Sequence, residues 1–195
     1  MKTGAVIVAA GMSTRMKQFK QMMKIGNLTM AERVIMSFRK AGIDDIVVVI
    51  GYRGDELKEA LAYLNPVFIE NKDYEHTQMF ESAKLGLEHF LEGYDKALFC
   101  PVDVPAFSIK TLEQVIKCKS EIAVPRCKGR NGHPIAIKSS LIPGILSYQG
   151  ERGLKGAMEA SGVPIDYIEV DDMGSLMDAD TVEDYERIVQ FYNKP

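Results

Sequence analysis

The stretch "VAAGMSTRMKQFK" (8–20) ends an apolar run in Gly11 and then gathers two hydroxyls and three cations, Arg15, Lys17 and Lys20. Gly11 lets backbone N–H groups approach a phosphate closely, Arg15 offers a planar fork of donors, and Lys20 brings a mobile point charge. A chain of phosphates is the natural guest. The sequence has no G-x-x-x-x-G-K-[ST], and no G-x-G-x-x-G follows the first apolar run, so the common triphosphatase loop and the dinucleotide fingerprint both fall away. Met12, Met16, Met22 and Met23 interleave with the cations and read as core filler.

A second chemical group lies 83 residues beyond Lys20: Asp103, in "PVDVP" (101–105), follows the apolar run "ALFC" between two prolines. A carboxylate braced at the end of a strand is a good hard ligand for Mg²⁺, which takes one or two carboxylates and completes its shell with phosphate oxygens and water. Asp178 and Asp180 compete as a second ligand. Asp180 sits where it would N-cap the last helix, which leaves Asp178 for the metal. Asp171 and Asp172 read as loop charges, and His76 and His89 receive no role.

The elements that position these groups alternate. "GAVIVA" (4–9), "DIVVVI" (45–50), "VFIE" (67–70), "KALFC" (96–100) and "EIAVP" (121–125) read as strands, several apolar on both faces. Helices are expected near 30–41, 55–64, 78–91 and 108–119, the first opened by a Thr29–Glu32 capping box and stopped at Gly42. After Gly129 the rhythm loosens into strands at 133–137 and 164–170, a short helix at 152–160 and a last helix beyond Asp180. The expected fold class is α/β: a single three-layer domain spanning 1–195, with a mostly parallel sheet and helices on both faces. In such sheets the first strand-to-helix loop, beyond the carboxyl ends of the strands, is the usual phosphate site.

Bulk properties narrow the partners. Net charge is −3, from 24 basic and 27 acidic residues, which gives no general pull on nucleic acid. Cys100, Cys118 and Cys127 are odd in number and share no C-x-x-C spacing, so they read as reduced thiols. No secretory leader and no run of 18 apolar residues is present, which points to the cytoplasm and away from a membrane.

The loop closely resembles the signature of the nucleotidyltransferases that attach a nucleotide to molybdopterin, within the glycosyltransferase-A-like nucleotidyltransferase superfamily. Further motifs follow in that family's order: "NKDYEHTQMFESAKLGL" (71–87), "PVDVP" (101–105), "GHPIAI" (132–137), "GERGLKGAM" (150–158) and "MDADTVEDYER" (177–187). The resemblance covers nearly the whole chain. It departs at Lys17, where the family's pattern has glycine. Ala10, in "AAG" rather than "AGG", is closer to the cytidylyltransferase branch and favours CTP.

The resemblance implies that Ala9, Ala10, Gly11, Met12, Ser13 and Arg15 hold the triphosphate, with Lys20 and Arg15 meeting the charge that develops during transfer. It places Ser82 near the nucleotide, where the residue alone reads equally as a helix cap, and Asn71 either reads the ribose or makes a turn. His133, Gly150 and Gly153 are candidates for the acceptor, against structural roles for each. The implied reaction moves a nucleoside monophosphate, CMP from CTP, onto molybdopterin with Mg²⁺ as cofactor, and a molybdoenzyme apoprotein is a possible recipient of the product. A sugar- or polyol-phosphate acceptor and a non-catalytic nucleotide or pterin carrier stand as alternatives.

Overall fold

The computed structural model describes residues 1–12, 16 and 18–193, and the roles expected of Ser13, Arg15 and Lys17 lie outside them. In chain order the elements are β1 (Thr3–Val8), β2 (Lys24–Ile25), β3 (Leu28–Thr29), α1 (Met30–Lys40), β4 (Ile46–Ile50), α2 (Gly54–Leu61), β5 (Val67–Glu70), α3 (Met79–Glu88) and β6 (Lys96–Pro101). They continue with α4 (Ile109–Lys117), β7 (Ile122–Cys127), β8 (Arg130–Asn131), β9 (Ile135–Lys138), α5 (Ile142–Ser147), α6 (Gly153–Ala160), β10 (Ile165–Glu169) and α7 (Val182–Tyr192).

The described residues form an eight-stranded sheet in the order β10-β7-β9-β6-β1-β4-β5, with β8 on β7. β1 lies parallel between β4 and β6, while β9 runs antiparallel to both β6 and β7. Alternation along the strands feeds two cores. Ala5 and Ile7 of β1, with Ile46, Val48 and Ile50 of β4, pack under α1, α2 and α4. Val6, Val8, Val47 and Val49 pack under α3, α5 and α6. The α/β expectation holds, and β1 and β6 sit side by side with their carboxyl ends at one edge. No described helix is long and apolar enough to cross a membrane.

Local chemistry explains the boundaries. Thr29 and Glu32 form the expected capping box: Thr29 N–H donates to Glu32 Oε2 at 2.6 Å, and Glu32 N–H to Thr29 Oγ1 at 3.2 Å. Gly42, at φ 82°, ends α1 in a conformation that favours glycine. At Gly86 an added Cβ would lie 2.3 Å from a Val6 methyl, so glycine there lets α3 sit directly on β1.

Two expectations are corrected. Asp180 does not cap the last helix: Thr181 does, accepting from Asp184 N–H at 3.2 Å while Asp184 Oδ2 accepts from Thr181 N–H at 3.1 Å. Asp172 is no loop charge, because its buried carboxylate accepts from Ser108 N–H at 2.7 Å and from Gly174 N–H at 3.0 Å. Asp172→Ala strands both donors and is expected to destabilise the fold by about 1–3 kcal/mol, readable as a lower urea midpoint. An unchanged midpoint contradicts that role.

Candidate active site

The loop after β1 is held by a residue that its sequence does not advertise. Gln21 is fully buried, and its Nε2 donates to the carbonyls of Ala9 and Gly11, both at 2.9 Å. Tyr52 N–H donates to Ala10 O at 3.2 Å, tying the loop to the end of β4. Gly51 is required at that junction, since a Cβ would stand 2.9 Å from Ala10 O and 2.7 Å from Tyr74 Cβ. Among the described residues, a Cβ at Gly11 would meet no atom within 4 Å beyond its two chain neighbours.

Lys20 and Asp103, 83 positions apart, meet directly: Nζ donates to Oδ2 at 2.6 Å. Their side chains are 13% and 18% exposed, sheltered enough for the pairing to be little screened. The loop bearing Asp180 is brought to the same place by Ala179, whose buried N–H donates to Asp103 O at 2.9 Å. Asp180 Oδ1 then lies 3.6 Å from Lys20 Nζ.

Two cavities open on this cluster, and a third adjoins them. The first, about 250 Å³, is lined by Ala9, Ala10, Gly11, Lys20, Ser82 and Asp103 among others. The second, about 290 Å³, holds Asp103, Asp178, Asp180 and Arg130. The third, about 390 Å³, is walled by Phe80, Phe99, Leu154 and Met158, with Arg152 and Lys155 also on its lining. Met79, at the start of α3, lines all three, and His133 lines the second and third.

Asp178 is raised above its ordinary carboxyl range, first by desolvation and then by the charges of Asp180, Asp103 and Asp184. Such a concentration of carboxylates suits a hard cation. Among the described residues, however, no three His, Cys, Asp or Glu side chains could hold a metal ion by themselves. Any metal here must draw part of its shell from a ligand or water.

The remaining predicted positions divide. Asn71 spends its amide hydrogens on Thr77 Oγ1 and Ser82 Oγ, both at 2.9 Å, so it stands behind Ser82 rather than on the cavity wall. Met12 is exposed and outside the lining of the first cavity. Gly153 lines the third cavity, whereas Gly150 packs on Tyr148, whose hydroxyl would lie 2.4 Å from an added Cβ. The sequence missed Gln21, Met79 and Arg152, and it set Asp180 aside as a cap.

His133 is fixed by its N–H donating to Ser175 O at 2.9 Å, and its Nδ1 is buried with no partner among the described residues. Burial pushes its pKa down to about 4, with Asp103's charge opposing. Between about pH 6.5 and 4 the unfolded chain therefore binds a proton that the folded chain refuses. Stability falls as pH drops through that window and is independent of His133 above it. His133→Asn is expected to flatten this part of the stability curve in urea titrations; an unaltered slope contradicts it.

A glycine-bearing loop and an acidic strand end thus share one cavity at the edge of a mostly parallel sheet. Residues 5–165 match the family of MobA-like NTP transferase domains, and the chain belongs to that family. The fold closely matches a nucleotidyl transferase from Methanothermobacter thermautotroptrophicus, with TM-score 0.86, 23% identity, and 98% and 97% of the two chains covered. It also matches Rv0371c from Mycobacterium tuberculosis in complex with manganese, with TM-score 0.77, 21% identity, and 97% and 99% covered. At these identities the likeness is one of fold. In sequence the chain is similar to the bifunctional protein GlmU of Staphylococcus haemolyticus, 29% identical over 119 residues, or 60% of this chain. The chain spans about a quarter of the length of the GlmU proteins it matches, 26% in that case.

Proposed function

We propose that the protein is a Mg²⁺-dependent nucleotidyltransferase that moves CMP from CTP onto a phosphorylated acceptor of the molybdopterin type, releasing pyrophosphate. The observation that carries this is the 2.6 Å pairing of Lys20, from the glycine loop, with Asp103, from the end of β6, on one cavity wall. A phosphate chain laid along the loop would reach both. Ala10 favours the cytosine base, and the three unpaired cysteines fit a reducing cytoplasm.

In this account the loop N–H groups and Arg15 hold the phosphates, and Lys20 meets charge on the departing group. Asp103 and Asp180 would hold Mg²⁺, with Asp178 at hand in the adjoining cavity; the manganese complex of the Rv0371c fold neighbour is in keeping with a divalent ion. Asp180 is preferred to Asp178 as the second carboxylate, because it lines both cavities that Asp103 lines, whereas Asp178 lines only the second. When bound, Mg²⁺ supplies Lewis-acid neutralisation of the phosphate oxygens. The acceptor's phosphate oxygen attacks the α-phosphorus as the bond to the α–β bridging oxygen breaks, and pyrophosphate leaves with that electron pair. No protein nucleophile is needed.

The third cavity supports the choice of acceptor. Its apolar walls fit the faces of a flat ring system, Gln78 and His133 offer polar partners to its edge, and Arg152 and Lys155 fit an anionic tail. The test is thermal stabilisation by each of the four common triphosphates with Mg²⁺, followed by assay of pyrophosphate release with a pterin acceptor. A ligand at 100 times its Kd stabilises by about 2.7 kcal/mol, a shift of several degrees. CTP is expected to give the largest shift; no shift with any triphosphate rejects the proposal. Binding without release would instead indicate a carrier.

A further inference from the structure

A second charged cavity lies at the other end of the sheet. Lys96 opens β6 and Lys138 closes β9, and the antiparallel register sets the two directly opposite each other. Cross-strand neighbours point to the same face, so like charges in that arrangement repel. Lys96 is only 2% exposed. Its ammonium donates to Cys118 O at the end of α4, which occupies one of three N–H donors. No carboxylate among the described residues forms an ion pair with Lys96, Lys119 or Lys138.

These three lysines, with Lys117, line a cavity of about 720 Å³ in which Asp95 is the sole carboxylate on the lining. Asp95 is itself engaged, paired with the N-terminal ammonium at 3.9 Å and accepting from Lys2 N–H at 2.6 Å. Lys117 pairs with Glu113 at 2.9 Å on the helix surface. A chain of net charge −3 thus lines one concave surface with four lysines, of which, among the described residues, Lys117 alone has a carboxylate partner. A nearly buried charge facing a like charge is unfavourable unless a counter-charge joins it. Burial, and to a lesser extent Lys138, hold the Lys96 ammonium below its ordinary pKa, in line with that imbalance.

We infer that this cavity is an anion site, distinct from the catalytic one, for a small phosphoryl-bearing molecule. Lysines contributed to one lining by β6, β9 and the end of α4 suit a phosphoryl group, whose oxygens accept from several directions, and no arginine fork on the lining selects a planar carboxylate. The volume accommodates more than a bare phosphate and lies in the ordinary range for small-molecule sites. Lys96 and Pro101 bound β6, so five residue steps, about 17 Å, separate this cavity from the edge that carries Asp103.

Inorganic pyrophosphate serves as the probe, titrated at constant ionic strength while amide resonances are followed by NMR. Saturable shifts at residues 117–119 and 138 are expected in the wild type and equally in Lys20→Ala, which disables only the other site. Lys119→Gln combined with Lys138→Gln, both at the cavity rim, should weaken that binding by about tenfold or more while leaving CTP stabilisation unchanged. Three outcomes overturn the inference: no saturable shift at those amides, an equal response to sodium chloride alone, or loss of the shifts in Lys20→Ala. Because the readout is independent of nucleotide transfer, failure here leaves the proposed activity standing, and the converse also holds.

Discussion

Lys20→Ala is expected to lower turnover by about 10²–10³ while the folded protein survives, the scale seen when one charge-stabilising donor is removed from a transition state. The magnitude follows from position. Lys20 is the described cation of the loop that touches Asp103, and its side chain is 13% exposed, so bulk water cannot replace its charge cheaply. The loss should fall on kcat more than on KM, because charge on the departing pyrophosphate develops during transfer. Lys20→Arg should rescue little, since a planar fork cannot take the place of a compact ammonium between two carboxylates. Full turnover by a folded Lys20→Ala protein would remove Lys20 from the mechanism.

Asp103→Asn is the second large effect. The amide keeps the shape of the carboxylate but surrenders its charge, so the folded state should persist while affinity for the metal drops. The expected result is a Mg²⁺ activation midpoint raised by about tenfold or more, with reduced maximal rate. Asp180→Asn should move the same midpoint less, because Asp180 approaches Lys20 only to 3.6 Å and its side chain is 44% exposed. An unchanged Mg²⁺ dependence in Asp103→Asn contradicts the assignment.

Much of this arrangement is written locally. The alternation of Ala5, Val6, Ile7 and Val8 feeds both cores from one strand, and the Thr29–Glu32 box starts α1 where the sequence says it should. Lys20 and Asp103 could be paired in advance because each follows the carboxyl end of a strand, where such sheets bind their ligands; that β1 and β6 are neighbours is what the structure adds. What the sequence hid depends on distant partners. Nothing local marks Gln21 as buried, because its two acceptors belong to the turn it braces. Asp172 resembles a surface charge until the N–H of Ser108, 64 positions away, arrives to meet it.

The third quarter was the least legible part for a related reason. β9 has the apolar content of any buried strand, and direction is not encoded in that content, so its antiparallel course between β6 and β7 had no local signature. Asp180 was misassigned through a one-residue ambiguity at a helix start: Thr181 and Asp184 satisfy the same capping pattern as Asp180 and Glu183, and only the folded chain chooses.

The most direct measurement follows the fate of label from CTP in the presence of Mg²⁺ and a pterin acceptor. With phosphorus-32 at the α-position the label should appear in the acceptor product, and with phosphorus-32 at the γ-position it should appear in pyrophosphate. Passage of the γ-label to the acceptor, or its release as inorganic phosphate alone, would contradict nucleotidyl transfer at this site.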